Sequence, residues 1–287
     1  MNPALWGLLC ALGWGGADFI ARFTGRAMGH EAALLGMLSV GAVVLTLLVW
    51  ASGLPLVWEP SGWWLLLLTG LGVMVATLLL YWGLARGPVT VVAPIVGAYP
   101  AFNVTFAVLL GARPTALEWA AIAAVMAGVV GVARSSSSFE GSLLYTREHL
   151  RASVLIALAS AVGFAVTVAA AQAATLVYGE LQTVWIARWV SLAATALLFI
   201  WKRKPPRLPV RWWPLLLAQG LLDGGAYVAL LAGSGGPGAE IAVVVASTFS
   251  AVTVVLAWIV IREAITALQW AGIVGIIGGV AVLSASG

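Results

Sequence analysis

Three ionisable residues stand well inside long apolar stretches of the chain: Asp18, Arg188 and Asp223. A charge is costly in such surroundings, so it turns to a packed interior or to water and marks a functional site by default. Either aspartate can attract a cation or take up and release a proton. Arg188 can bind a carboxylate, or serve as a fixed counter-charge to one aspartate and leave the other free. Aromatic and amide side chains accompany the charges at helical spacing. Trp14 and Asp18 are four apart, as are Asp223 and Tyr227, and Tyr99 and Asn103. Trp185 precedes Arg188 by three, Gln219 lies one turn before Asp223, and Gln172 ends the sixth apolar run. Residues three or four apart share a helix face, so these groups offer π faces to a cation or ring and donors to a carboxylate. The expected substrate-binding set is therefore Trp14, Asp18, Tyr99, Asn103, Gln172, Trp185, Arg188, Gln219, Asp223 and Tyr227, with Asp18 and Asp223 as the cation or proton sites.

The elements that must position these groups follow from composition. Of 287 residues, 8% are charged and 62% hydrophobic, against roughly 25% and 45–50% in a soluble domain. Such a chain cannot clothe itself for water, and the bilayer is its solvent. Disordered, collagen-like, coiled-coil and nucleic-acid-binding classes fall with the same numbers. A helix crosses the hydrocarbon core with about 20 apolar residues. Ten such runs are read: 3–22, 31–51, 63–84, 89–110, 115–133, 152–171, 180–201, 212–231, 240–261 and 266–285. Pro94 and Pro100 interrupt the fourth, and Gly224-Gly225 follows Asp223 in the eighth; broken helices of this kind free backbone groups at depth. The single cysteine, Cys10, excludes an internal disulfide and reads as a small buried hydrophobe.

The chain also repeats itself. TALEWA at 115–120 returns as TALQWA at 266–271, an offset of 151, while Trp63-Trp64 matches Trp212-Trp213 and Gly87-Pro88 matches Gly236-Pro237 at 149. The reading is two repeats, 1–133 and 152–287, joined by a linker at 134–151. Each holds five spans, an odd number, so the second enters the membrane upside down. The expected fold is an all-α polytopic membrane protein of ten helices in two inverted five-helix repeats. Inverted repeats typify secondary transporters that bind substrate near the midplane between the halves.

With these features the sequence resembles the EamA-type transporters of the drug/metabolite transporter superfamily. The resemblance rests on LGWGGADF at 12–19 and on the repeat ends LLGARPTALEWA from Leu109 and VIREAITALQWAGIVGIIGGV from Val260. It implies movement of a small metabolite by alternating access: an amino acid, an amine or a similar zwitterion or cation. A multidrug exporter of hydrophobic cations is the alternative. In the first repeat Arg113-Pro114 stands where the second has Arg262-Glu263, so a carboxylate of that motif is present once.

Other classes lack their chemistry. An intramembrane aspartyl protease would carry Gly-x-Gly-Asp, but Gly220-Leu221-Leu222-Asp223 lacks the second glycine. His30 and His149 are the only histidines, and no His-Glu-x-x-His occurs. No ring of charge or filter-like loop suggests a channel. No enzyme activity, cofactor, metal or nucleic-acid partner is expected; the partners are a small-molecule substrate and membrane lipid, with the protein a monomer or homodimer.

Twelve of the fourteen Lys and Arg lie in the loops that follow spans one, three, five, seven and nine. Lys202 to Arg211 is the densest of these, flanked by Trp201, Trp212 and Trp213. The positive-inside rule puts those loops in the cytoplasm and both termini outside the inner membrane. A reporter active only in the cytoplasm should be silent when fused to either terminus and active when inserted in the 202–211 loop; activity at the termini would reverse the orientation.

Overall fold

A computed structural model describes residues 2–109, 113–135, 145–234 and 239–286. Gly236-Pro237, the serines at 136–138 and the side chain of Glu240 lie outside the described residues. Twelve α-helices follow in order: α1 (Pro3–Met28), α2 (His30–Ser52), α3 (Trp63–Arg86), α4 (Val89–Gly97), α5 (Tyr99–Leu109), α6 (Ala116–Ser135), α7 (Arg147–Tyr178), α8 (Glu180–Trp201), α9 (Trp213–Ser234), α10 (Ala239–Ala246), α11 (Phe249–Val260) and α12 (Ala267–Ser286). Among the described residues nine stretches are long and apolar enough to cross a membrane, and a shorter apolar helix, Ala267–Leu283, makes the tenth. In hydrocarbon a helix meets its own backbone hydrogen bonds, which is why apolar sequence of this length resolves into helices alone.

Two of the ten spans are each built from two helices. α4 stops at Gly97 and α5 starts at Tyr99, at the place marked by Pro94 and Pro100. The second break, between α10 and α11, has no proline. There Ser247 Oγ and Thr248 Oγ1 donate to the carbonyls of Val244 and Val245 at 2.6 and 2.7 Å, a local bonding that competes with helix continuation. The expected interruption at Gly224-Gly225 does not occur: α9 runs through both glycines. A Cβ at Gly224 would come within 3.1 Å of the Val44 side chain, so this glycine admits α2 at close range.

The bundle has an approximate two-fold. α1 packs on α9 as α7 packs on α3, α2 on α9 as α8 on α3, and α1 on α10 and α11 as α7 on α4 and α5; α2 meets α8, and α6 meets α12, across the axis. The helix starts set the register. α2 and α8, α3 and α9, and α4 and α10 begin 150 residues apart, and the α1–α2 and α7–α8 corners turn on Gly29 (φ 90°) and Gly179 (φ 75°). The offset of 149 read from the tryptophan pairs is therefore off by one: Trp63 is equivalent to Trp213. Paired tryptophans align with themselves almost equally well one residue out of step, and helix boundaries do not.

The TALEWA and TALQWA motifs prove to be capping boxes. Thr115 N donates to Glu118 Oε2 and Glu118 N to Thr115 Oγ1; Thr266 N donates to Gln269 Oε1 and Gln269 N to Thr266 Oγ1. They start α6 and α12, which then meet at glycine: a Cβ on Gly272 would lie 2.8 Å from Gly128 O. Overpacking of such a contact costs about 1–3 kcal/mol. Gly272→Leu should lower the melting temperature of the detergent-solubilised protein, whereas Gly278→Ala, with nothing within 4 Å of a Cβ, should leave it unchanged.

Candidate functional site

Arg188 and Asp223 meet in the interior. Arg188 Nη2 lies 2.7 Å from Asp223 Oδ2, with 4% and 14% of the side chains exposed. α8 supplies the arginine and α9 the aspartate, and α2 closes on both: a Cβ at Gly41 would be 3.4 Å from the guanidinium and 3.5 Å from Asp223 Oδ2. The other guanidinium face is occupied too. Arg188 Nη1 donates to the Met37 sulfur at 3.3 Å, and the guanidinium carbon stands 5.2 Å from the Tyr227 ring centroid, within cation–π range. Of the two chemistries open to Arg188, the structure realises the counter-charge.

Asp18 belongs to the same interior. It sits on α1 one turn after Trp14, where α1 packs on α9 beside Asp223: a Cβ at Gly13 would lie 2.7 Å from Leu222 O. Among the described residues no hydrogen bond or ion pair engages its carboxylate. Asp18, like Asp223, is enclosed by protein yet keeps part of its surface open to water-sized space. The walls are aromatic. Trp14 makes edge contacts with Tyr227 (5.1 Å between centroids) and Phe249 (6.0 Å), and Tyr99 tilts on Phe164 at 6.0 Å. With the register of 150, Trp14–Phe249 and Phe164–Tyr99 are the same contact in the two repeats. Asn103 follows Tyr99 by one turn on α5 and is likewise partly open.

Gln219 is fully buried one turn below Asp223. Its Oε1 accepts from Thr24 Oγ1 at 2.9 Å, and its Nε2 has no hydrogen-bond partner. Tyr81 is buried on α3, which packs on α1.

Two expected members stand apart. Gln172 is exposed, and α7 continues six residues beyond it to Tyr178; the amide is near a helix end, but on the outside. Trp185 is directed to α2, where its Nε1 donates to Thr46 Oγ1 at 2.9 Å, as Trp189 Nε1 does at 3.1 Å. Thr24, Met37, Tyr81, Phe164 and Phe249 join the site unannounced. They are uncharged, and on an apolar helix nothing separates such residues from ordinary packing; only the 150-residue equivalence of Phe164 with Trp14 and of Phe249 with Tyr99 points to two of them.

At the end carrying Arg22, Arg86 and Arg262, a second cluster is closed. Arg22 Nη1 is 3.1 Å from Glu263 Oε1, both side chains 8% exposed. Glu263 Oε2 accepts from Thr90 N and Thr90 Oγ1 at 3.0 and 3.1 Å. At the opposite end a cleft of about 500 Å³ opens between α2, α8 and α9, lined by Leu48, Leu54, Glu180, Leu181, Val228, Leu231 and Ala232.

A bundle of two opposed helical repeats with a charged, aromatic-walled interior defines a polytopic membrane protein built around an internal polar site. The model of the EamA-like transporter family matches the chain twice, over residues 1–134 and 151–285, and the chain belongs to that family. It is a multi-pass membrane transporter of the drug/metabolite transporter superfamily. The chain is also similar to a protein of known crystal structure, with 19% identity and a TM-score of 0.66, covering 98% of this chain and 95% of that one; at that identity the likeness is one of fold. No curated protein matches the chain.

Removing one member of a buried ion pair leaves an uncompensated charge and costs about 3–5 kcal/mol, whereas replacing both by apolar groups is close to neutral. Arg188→Met should therefore lower the melting temperature markedly, and Arg188→Met with Asp223→Leu should restore most of it. Equal melting temperatures for the single variant and wild type would show that the pair carries no structural weight.

Proposed function

We propose that the protein is a secondary active carrier for a small polar metabolite that bears an amine, as a zwitterion or a cation, and that it works by alternating access. The observation that carries this reading is the state of Asp18. Arg188 neutralises Asp223, so among the described residues of this aromatic-walled interior the carboxylate left without an ion pair is the partly exposed Asp18. Such a site attracts an ammonium group, and π faces at its walls favour a cation further. Asp18 would hold the amine or the coupling proton. Asp223 and Arg188 would separate only when a substrate carboxylate takes the guanidinium. Tyr99, Asn103 and Tyr227 would complete the lining, with Trp14 as one wall.

The repeats 1–133 and 152–287 would rock about this site, joined by the segment 134–151, with the basic loops in the cytoplasm of an inner membrane and both termini outside. The aromatic surfaces of Trp14, Tyr227 and Phe249 equally suit a hydrophobic cation, which supports the efflux reading as the second choice; resistance profiling of an expressing strain separates the two.

A thermal-shift screen against amino acids, amines, sugars and nucleobases should single out amine-bearing ligands, since a ligand that prefers the folded state raises its melting temperature. In proteoliposomes, Asp18→Asn should reduce uptake of that ligand at least tenfold and abolish its pH dependence while leaving the fold intact. Uptake and pH profile unchanged in both Asp18→Asn and Asp223→Asn would overturn the assignment.

A further inference from the structure

The two ends of the bundle are closed by different chemistry. At the basic end the Glu263 carboxylate, carried by the second repeat, joins two elements of the first, a junction that rocking of the repeats must open. It meets Arg22 near the end of α1, it accepts from Thr90 in the first turn of α4, and it is carried by the α11–α12 connection. The first turn of a helix presents unsatisfied N–H groups and the positive end of the dipole, so a carboxylate there is favoured beyond its pairing with arginine. Neighbouring contacts tighten the same end: Arg26 Nε donates to Ala85 O at 2.7 Å and Ser153 Oγ to Gly87 O at 2.9 Å. The Arg22 and Glu263 atoms that face each other make no hydrogen bond, so charge and enclosure hold them rather than aligned donors.

Among the described residues the other end is held by uncharged bonds: Tyr178 OH donates to Glu59 O, and the Gln182 amide accepts from Val57 N and donates to Val57 O. In the register of 150, Arg22 corresponds to Gln172, which is exposed. The stretch corresponding to Glu263 is Gly-Ala-Arg-Pro at 111–114, which holds no carboxylate. The cleft between α2, α8 and α9 opens on that side.

We propose that Arg22, Glu263 and Thr90 form a one-sided latch that holds the carrier shut at the basic end and open at the other, so that the inward-open state is reached only by breaking the Arg22–Glu263 pair. This rests on the alternating-access reading above. In that scheme Glu263 and Arg22 are gating residues that touch no substrate, and the unloaded protein rests facing outward because, among the described residues, the ion pair buried at an end of the bundle is the one at the basic end.

Site-directed thiol labelling tests this without a known substrate. In a Cys10→Ala background, Thr24→Cys reports on the interior just behind the latch, where Thr24 is fully buried, and Asn103→Cys reports on the cavity. A membrane-impermeant maleimide is applied to each face of oriented vesicles. With the latch intact, Asn103→Cys should react from the outer face and Thr24→Cys from neither. Adding Glu263→Gln or Arg22→Gln should raise labelling of Thr24→Cys from the basic face at least tenfold and reduce labelling of Asn103→Cys from the outer face; Arg22→Lys, which keeps the charge, should behave as the parent. If Glu263→Gln fails to elute as a monodisperse species, Arg22→Gln carries the test, because Glu263 there keeps its two bonds to Thr90. Reactive Asn103→Cys with no gain at Thr24→Cys in either variant overturns the latch and leaves the carrier reading standing. Asn103→Cys unreactive from both faces in every background overturns the cavity, and the latch with it.

Discussion

The contact between Arg188 and Asp223 is what the interior is arranged around. A lone charge near the middle of a bilayer costs at least about 2.5–3.5 kcal/mol, and here two opposite charges from α8 and α9, helices that both pack on α2, cancel at 2.7 Å. Their cancellation requires α2 to come close, which Gly41, Gly220 and Gly224 permit: a Cβ at each would lie within about 3.5 Å of the facing helix or of the pair itself. Once the pair is made, the remaining carboxylate stands out. Asp18 is partly exposed and, among the described residues, has no ion pair of its own, which is why the proposed amine site is centred on it.

The scaffold is duplicated and the chemistry is not. The aromatic pairs Trp14–Phe249 and Phe164–Tyr99 repeat across the pseudo-two-fold at the same centroid separation, and the two glycine corners and two capping boxes repeat with them. The charges do not. In the same register Asp18, Arg188 and Asp223 correspond to Val168, Leu38 and Val73. Packing shared by both halves is what the proposed rocking would use, while a bound substrate would meet one set of polar groups. The ends differ in the same way, since Arg22 corresponds to Gln172 and Glu263 to a stretch, 111–114, with no carboxylate.

Much of this was legible in the chain. Span number and type follow from hydropathy, because the bilayer leaves little alternative to helix for an apolar run of twenty residues. The three buried charges and their helical neighbours Trp14 and Tyr227 were legible for the same reason: few residues of those types lie at depth, so each one is informative. Side chains near helix ends were not. Gln172 and Trp185 have suitable chemistry, but a rotation of one residue about the helix moves a group by about 100°, and the sequence does not say which way the apolar face turns when every face is apolar. The break between α10 and α11 was hidden because serine and threonine are ordinary residues in such helices, and only their bonding to the preceding turn shows what they do. Glu263 was visible as a motif residue without a partner; its link to Arg22 spans most of the chain and no local pattern announces it.

The two broken spans tie the site to the ends. α5 and α11 begin at Tyr99 and Phe249, the residues that press on Phe164 and Trp14, so each aromatic wall is mounted on the second half-helix just past a discontinuity. The first half-helices are held differently. α4 is buried along its whole length and fastened at Thr90 to Glu263, whereas α10 leaves Ile241 and Val243 exposed along its flank. A discontinuity lets one half of a span move without dragging the other, because no i to i−4 ladder runs across it. With α4 fastened and α10 less enclosed, motion at the first break would pull on the Glu263 cluster and motion at the second would not. Trp14 touches both Phe249 beyond the second break and Tyr227 above the ion pair, so a displacement of that half-helix would reach the charged centre through these rings.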